Sequence, residues 1–500
     1  MTNSMASGEG IRPVGSDPSS SRVTGLVREH AWSLAVWVAM VAWSGVLFAV
    51  VRDHFVNYRL GRYDLGNMVQ AVWSTAEGRP LEVTHGTTGE QIVRLGGHVD
   101  PILAALAPLW IVLPSPLTLV TVQIGAVALG ALPVFWLGRR HLGSERTAAL
   151  VALAYLAYPW IAWTAVDAFH PVTLAIPALL FAVWFLDSDR LVPFAVCGTL
   201  AIATGELMGL VVAALGVWYA VARRRRWAGI VIAGAGAGWT FFALYAIVPQ
   251  FSGGESAFYG FYEDVGGSPG GIVRTAFTDP VAILSAIGQG RDFLYLFLLG
   301  APVAFAFLLA PGLAAVALPQ LAANHLADLS SATDPHAHYV AGILPFFFAA
   351  IAIGLGRLSP TGRVRGAILV LTLSLAATMM VGPWPRALAG SPSFYRLDTP
   401  SRHIAAVGGA VALVPEDAPV SATNRAGSHL SARRYLYSVP VIGRAEWIVI
   451  DSSDAWIPRA AGGNENPEAL RAFQGRLEKN PGWRRVYAVD GVFVFHRVSG

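Results

Sequence analysis

The side chains able to do chemistry in this 500-residue chain gather in a few short motifs. Arg62-Tyr63-Asp64-Leu65-Gly66-Asn67 sets a carboxylate beside an arginine at the start of a helical pattern. A carboxylate within hydrogen-bond reach can take the proton of a hydroxyl that attacks an activated carbon. Asp64 equally suits the cap of a helix beginning at Leu65, and spacing leaves both roles open. In Gly96-Gly97-His98-Val99-Asp100-Pro101 the glycines permit close backbone approach, and His98 and Asp100 can address one site. Asp100 also suits the N-terminus of the helix that follows. Glu206 interrupts an apolar run, where an ionisable group is costly and often functional; a water-facing hinge is its other reading. Arg62 and Arg94, with Arg59, can hold a phosphate by charge-assisted hydrogen bonds or anchor to headgroups. His98, Asp100, His170, Glu206, His325, His336 and His338 offer atoms to a divalent metal, although only His336-Ala337-His338 has a compact alternating spacing. Asp451-Ser452-Ser453-Asp454 follows a strand pattern and reads as a binding loop or a plain turn. No Walker A, dinucleotide or zinc-finger spacing occurs, which argues against ATP-driven transport within this chain.

These groups need elements to position them, and composition says which. Hydrophobic residues make up 54% of the chain and charged ones 13%, about half the usual share for a soluble domain. Several apolar runs approach the ~20 residues that cross a bilayer as a helix. The chain is a polytopic membrane protein by this reading. A net charge of +4, with the basic residues beside apolar runs, excludes nucleic acid as the natural partner and points to membrane lipids. The one cysteine, Cys197, lies in an apolar run and can form no internal disulfide.

Charge also orients the spans. Arg139-Arg140, Arg223 to Arg226, and Arg357 with Arg363 and Arg365 lie at one set of segment ends, the cytoplasmic set by the positive-inside rule. Asp64, His98, Asp100, Asp167, His170, Glu206, His325, Asp328, His336 and His338 lie at the other. Residues 1–28 read as a disordered cytoplasmic tail. Residues 29–382 form the transmembrane domain, with outer loops at 52–100 and 249–292. Short surface helices are expected in the first loop, and an interfacial segment at Pro101–Leu113. The expected spans include Thr147–Val166, Phe293–Ala310 and two short helices hinged at Gly205 within Leu191–Val221. The count is about eleven, which leaves the C-terminus outside.

From residue 383 the pattern changes. Val420–Thr423, Trp447–Asp451, Val486–Val489 and Val492–Phe495 read as strands, Glu468–Leu477 as a helix and Asp490-Gly491 as a hairpin turn. Residues 383–500 thus form a small extracytoplasmic α/β domain, and the fold class is a mainly α membrane protein carrying it.

Several motifs recur as a set: Tyr63-Asp64-Leu65-Gly66 with Gln70-Ala71-Val72-Trp73, Gly97-His98 through Pro101, and Pro116-Leu117-Thr118-Leu119 through Gln123. Phe169-His170-Pro171, Glu206, the His338-Tyr339 to Pro345 segment and Ser428-His429-Leu430-Ser431-Ala432-Arg433 complete it. In this order, from about residue 30 to the end, they resemble a bacterial and archaeal membrane-protein family, domain of unknown function 2079. The chain departs from that family at Gly205-Glu206-Leu207, where Lys-Glu-Asp is common; only the central glutamate remains.

The layout is similar to the GT-C superfamily of membrane glycosyltransferases. That resemblance implies a polyprenyl-phosphate-linked sugar as donor and an envelope glycan, lipid or protein as acceptor. It makes Asp64 the general base, and Arg62, Arg94, His98, Asp100, His170, Glu206 and His338 the substrate-binding set, with a divalent metal as the candidate cofactor. The site would face outward from a multi-pass plasma-membrane protein. Two other classes fit the same residues: a transporter or lipid flippase using Glu206 and the histidines, and a non-catalytic envelope scaffold. The large outer loops fit an enzyme better.

Overall fold

A computed structural model describes residues 30–254, 257–384, 401–459 and 462–498. The tail expected over residues 1–28 lies outside the described residues. Among the described residues, four helical stretches are long and apolar enough to cross a membrane: Ala31–Val56, Pro116–Leu142, Arg226–Ser252 and Pro360–Val381. The 26 residues of the first reach about 39 Å at the α-helical rise, more than a hydrocarbon core needs. Two bent pairs raise the number to six: Glu145–Ala157 with Pro159–Val166, bent by 49°, and Pro280–Ile287 with Gly290–Val303, bent by 55°. Pro159 explains the first bend, because its ring removes a backbone donor and clashes with the preceding turn.

The count of eleven therefore meets shorter pieces. Pro101–Val112, Pro171–Asp187, Leu191–Ile202, Met208–Ala222 and Leu344–Leu355 are apolar helices of 10–17 residues. Phe293–Ala310, expected as one span, is broken where Ala304 and Phe305 turn left-handed at φ 51° and 54°. The second loop, expected over 249–292, is largely helical at Pro269–Thr278 and Pro280–Ile287. The hinge within Leu191–Val221 is present: helix stops at Ile202 and restarts at Met208, leaving Glu206 between them.

Leu344–Leu355 runs through the centre of the bundle, with Phe346, Phe348, Ile351 and Ala352 fully buried. A helix apolar on every side belongs inside, and this one packs against Glu145–Ala157, whose Tyr155 ring meets Phe348 edge-on. Met208–Ala222 and Arg226–Phe242 form a tight hairpin because Gly209 faces Gly236 and Gly216 faces Gly229; a Cβ at any of the four would strike opposing backbone. The basic loops do meet at one end. Asp187, almost fully buried, takes Arg140 at 3.1 Å, His141 at 3.0 Å and Arg223 at 3.4 Å, and Arg363 reaches the Leu142 carbonyl.

Nine strands are present among the described residues. β1 (Glu82–Thr84) and β2 (Gln91–Val93) form a hairpin in the first loop, where helices alone were expected. The others are β3 (Val420–Ala422), β4 (Leu436–Ser438), β5 (Trp447–Asp451), β6 (Trp456–Arg459), β7 (Gly462–Glu465), β8 (Trp483–Val489) and β9 (Val492–Arg497). Five of them make a sheet in the order β4-β3-β5-β9-β8, parallel around β3 and antiparallel beyond β5. Alternation along β5 sends Val449 to a core with Val407 and Ala410 of the helix Arg402–Ala412. Ile448 and Ile450 go to a second core with Leu470 and Phe473 of the helix Pro467–Lys479. The β8–β9 turn is Asp490-Gly491, both at positive φ as a two-residue hairpin turn requires. β6 and β7 pair only with each other and stand apart from the sheet.

Candidate active site

Asp64 lies in a single π-turn, Arg62–Gly66, that continues into the helix Asn67–Ala76. Gly61 and Gly66 occupy the N-cap positions and neither receives a side-chain cap, so Asp64 is not a capping residue; 48% of its side chain is exposed. The C-terminal domain braces this turn. Asn424 Oδ1 accepts from the Tyr63 N–H at 3.0 Å, and a Cβ on Gly66 would press on the Ser431 hydroxyl. Gln70 donates to the Arg433 and Arg434 carbonyls. His429 hydrogen-bonds the Phe55 carbonyl at 2.9 Å and stacks on the Phe55 ring. Through these contacts the Ser428–Arg433 motif docks the domain on the Asp64 loop.

Arg62 belongs to that joint and not to a phosphate site. Its guanidinium, fully buried, donates to Ser438 Oγ at 2.7 Å, the Thr84 carbonyl at 2.6 Å and the Leu436 carbonyl at 2.8 Å. The expectation that it binds donor phosphate is corrected here. Two residues apart on one helical turn, Arg62 and Asp64 point to different sides.

The second part of the site is the turn Asp167–His170, held by Gln123. The buried Gln123 amide donates to the Asp167 carbonyl at 2.8 Å and the Ala168 carbonyl at 2.7 Å, and its oxygen accepts from the His170 N–H at 2.9 Å. His170 Nε2 then lies 3.8 Å from Asp64 Oδ1, and its Nδ1 lies 3.8 Å from Asp167 Oδ2. Asp167 Oδ2 also accepts from the backbone N–H and Nδ1 of His338, both at 3.1 Å. The two imidazoles stack with centroids 3.7 Å apart.

Burial works against charge on His170, but Asp167 and Asp64 outweigh it and raise its pKa. Burial, followed by the neighbouring His170 charge, lowers that of His338. Burial pushes Asp167 upward, yet His170 and His338 together bring it below its ordinary value. Of the stacked pair, His170, between two carboxylates, therefore holds a proton more readily than His338.

The third part comes from the end of the first loop and the break in the apolar run. Arg94 grips Asp100 with Nε at 2.9 Å and Nη2 at 2.8 Å, and Asp100 caps nothing. Glu206 accepts from the Val99 N–H at 3.0 Å and lies 3.4 Å from His98 Nδ1. Burial raises the Glu206 pKa, and the hydrogen bond and charge of His98 overcome that and lower it. One cavity is lined by Arg94, His98, Asp100, His170, Glu206 and His338, with Gln320 and Tyr339. Asp64 adjoins it through His170.

Two histidines go elsewhere: His325 pairs with the buried Asp292 at 2.8 Å, and His336 with the exposed Asp334. Asp167 and Gln123 are the residues that sequence reading left without a role. The i, i+3 spacing of Asp167 and His170 was the signal for one, and a lone glutamine in an apolar helix for the other. Asp167, His170 and His338 bring one oxygen and two nitrogen ligand atoms within 4.8 Å of one another, a set suited to a divalent cation.

The chain is thus an apolar helical bundle with a long first loop and a C-terminal α/β domain seated on that loop. Its fold is that of ArnT from Cupriavidus metallidurans in a crystal structure with bound undecaprenyl phosphate. The two align with a TM-score of 0.51 at 12% identity, over 94% of this chain and 98% of that one. The apo form of ArnT from the same organism aligns at 0.49 and 13% identity, over 93% and 98%. Residues 56–494 match the family described as "Predicted membrane protein (DUF2079)", and the chain belongs to that family. Comparison with curated proteins gives no match.

Proposed function

We propose that this protein is an inverting glycosyltransferase that moves a sugar from a polyprenyl-phosphate donor to an envelope glycan, lipid or protein acceptor on the outer face of the plasma membrane. One observation carries the reading: the half-exposed Asp64 carboxylate adjoins, through His170 at 3.8 Å, the cavity that Arg94 lines. The undecaprenyl phosphate held by ArnT, a protein of the same fold, supports the choice of donor class. The clustered arginines at the opposite segment ends support the outward orientation.

The donor enters sideways between helices, with its phosphate against Arg94 and His170. Asp100 fixes the Arg94 guanidinium through Nε and Nη2, which leaves Nη1 to donate to a phosphate oxygen. Asp64 takes the acceptor hydroxyl proton as that oxygen attacks the anomeric carbon. The carbon–oxygen bond to phosphate breaks, its electron pair leaves with the lipid phosphate, and a single displacement inverts the carbon. Arg94 and the His170 charge stabilise the growing negative charge, while Asp167, His338 and Gln123 hold His170 in place. Glu206 orients His98 towards the bound sugar. In place of the His170 proton, a divalent cation held by Asp167, His170 and His338 would supply the positive charge for the same phosphate.

The test compares envelope glycans and lipid-linked sugars in a deletion strain complemented with wild type or Asp64→Asn. The expected result is loss of one glycan residue, accumulation of its polyprenyl-phosphate donor, and no rescue by an Asp64→Asn protein that reaches the membrane. Full rescue removes Asp64 as the base; unchanged glycans remove the transferase.

A further inference from the structure

The β6–β7 hairpin leaves the sheet of the C-terminal domain and reaches the Asp64 turn. Trp456 on β6 meets Tyr63 with ring centroids 5.0 Å apart and planes 57° from parallel, and Tyr63 is covalently next to Asp64. Pro458, two residues along, approaches Gly86 of the first loop. The indole is held across the hairpin because Gly463 has no side chain; a Cβ there would collide with it. The Tyr63 backbone is fixed by Asn424, so both rings have set positions while remaining partly exposed. Glu465, exposed on β7, is the direct cross-strand partner of Trp456 and shares its face of the ribbon.

An angled pair of aromatic rings flanked by carboxylates suits one kind of ligand. The polarised C–H bonds on the apolar face of a pyranose point at the electron-rich face of an aromatic ring, and its hydroxyls donate to carboxylates. An acyl chain would leave Glu465 and Asp64 without donors at its side, and a carboxylate so desolvated is costly. We propose that Tyr63, Trp456 and Glu465 form the acceptor subsite and that the acceptor presents a pyranose ring, so the protein extends a glycan. This rests on the transferase reading. It adds a division of labour: the bundle cavity takes the donor, and the C-terminal domain takes the acceptor, whose hydroxyl falls one residue from the base.

The experiment is saturation-transfer NMR on the full chain in nanodiscs, with a set of methyl pyranosides as probes and a tri-serine peptide and octanol as controls. Wild type should saturate at least one glycoside along one ring face. Trp456→Ala and Glu465→Ala should each weaken that signal at least fivefold, and Trp456→Phe should keep it, which separates loss of the ring from loss of folding. Absence of glycoside saturation in wild type, saturation unchanged in Trp456→Ala, or preference for the peptide or octanol overturns the subsite. Glycoside binding that depends on Trp456, in a protein that transfers no sugar from a polyprenyl-phosphate donor, keeps the subsite and removes the transferase reading.

Discussion

His170 and His338 stack with centroids 3.7 Å apart, and Asp167 touches both, yet only His170 is set to carry charge. The division follows from the partners. His338 spends its Nδ1–H on Asp167 and has its proton disfavoured by burial and by His170, while His170 lies between two carboxylates and keeps its proton to a higher pH than a free imidazole. With its pKa raised, the positive charge is complete below about 6.5 and is lost as pH rises through the raised value. Transfer should therefore fall on an alkaline limb lying above 6.5. His170→Gln should remove that limb and lower kcat by roughly a hundredfold, the usual effect of deleting one group that stabilises transition-state charge. A pH profile of kcat in nanodiscs checks both; an unmoved limb in His170→Gln assigns it to another group.

Gln123 satisfies several backbone groups of the Asp167–His170 turn with one side chain. Gln123→Leu strands those buried groups at about 1–3 kcal/mol each. The unfolding midpoint should drop, and kcat should fall with little change in donor KM, because His170 is displaced while Arg94 is not. Gln123→Glu keeps the acceptor for the His170 N–H and loses the donors, so it should fall between the two. Equal activity in all three proteins would show that the turn holds itself.

The joint between the C-terminal domain and the Asp64 turn makes a third case. Arg62 is buried with carbonyl and hydroxyl partners and no carboxylate, so Arg62→Ala leaves Ser438, Thr84 and Leu436 short of donors at a cost of roughly 3 kcal/mol. Lysine cannot reproduce the fork, so Arg62→Lys should be nearly as damaging. Limited proteolysis should cut more readily between the domains in both variants, and kcat should fall with it. Activity retained by a protein with a loosened domain would separate the joint from catalysis.

Much of this was legible in the chain. Arginine runs mark the segment ends that meet at one end of the bundle, where Asp187 takes Arg140 and Arg223, and Asp490-Gly491 marks its hairpin because few residues accept positive φ. The break around Gly205 showed because Glu206 cannot sit unpaired in an apolar helix. What stayed hidden depends on partners far off in sequence. Arg62 meets Leu436 and Ser438, and His338 meets Asp167, across separations of 374, 376 and 171 residues. No local pattern says which way Arg62 turns, and its neighbour Asp64 suggested a shared phosphate site that the domain joint takes away. Where each span begins and ends was hidden for a local reason instead: proline and left-handed residues cut apolar runs that composition alone joins.

Asp454 gives the last prediction. It is buried in the C-terminal domain and accepts from the N–H of Arg425 at 2.6 Å, the residue next in sequence to Asn424, which holds Tyr63. Burial pushes its carboxyl up to about 6, against the pull of Arg425. A folded-state value above the unfolded one means the folded state binds the proton more tightly, so this contribution to stability is complete below about 4 and is lost as pH rises to about 6. Above that the charged carboxylate costs on the order of 3 kcal/mol relative to acid conditions. Asp454→Asn keeps an acceptor for Arg425 and cannot ionise. It should raise the unfolding midpoint of the domain by about 12–24 °C at pH 8 and by far less at pH 4.5. An equal gain at both pH values would mean that packing, and not the buried charge, separates the two side chains.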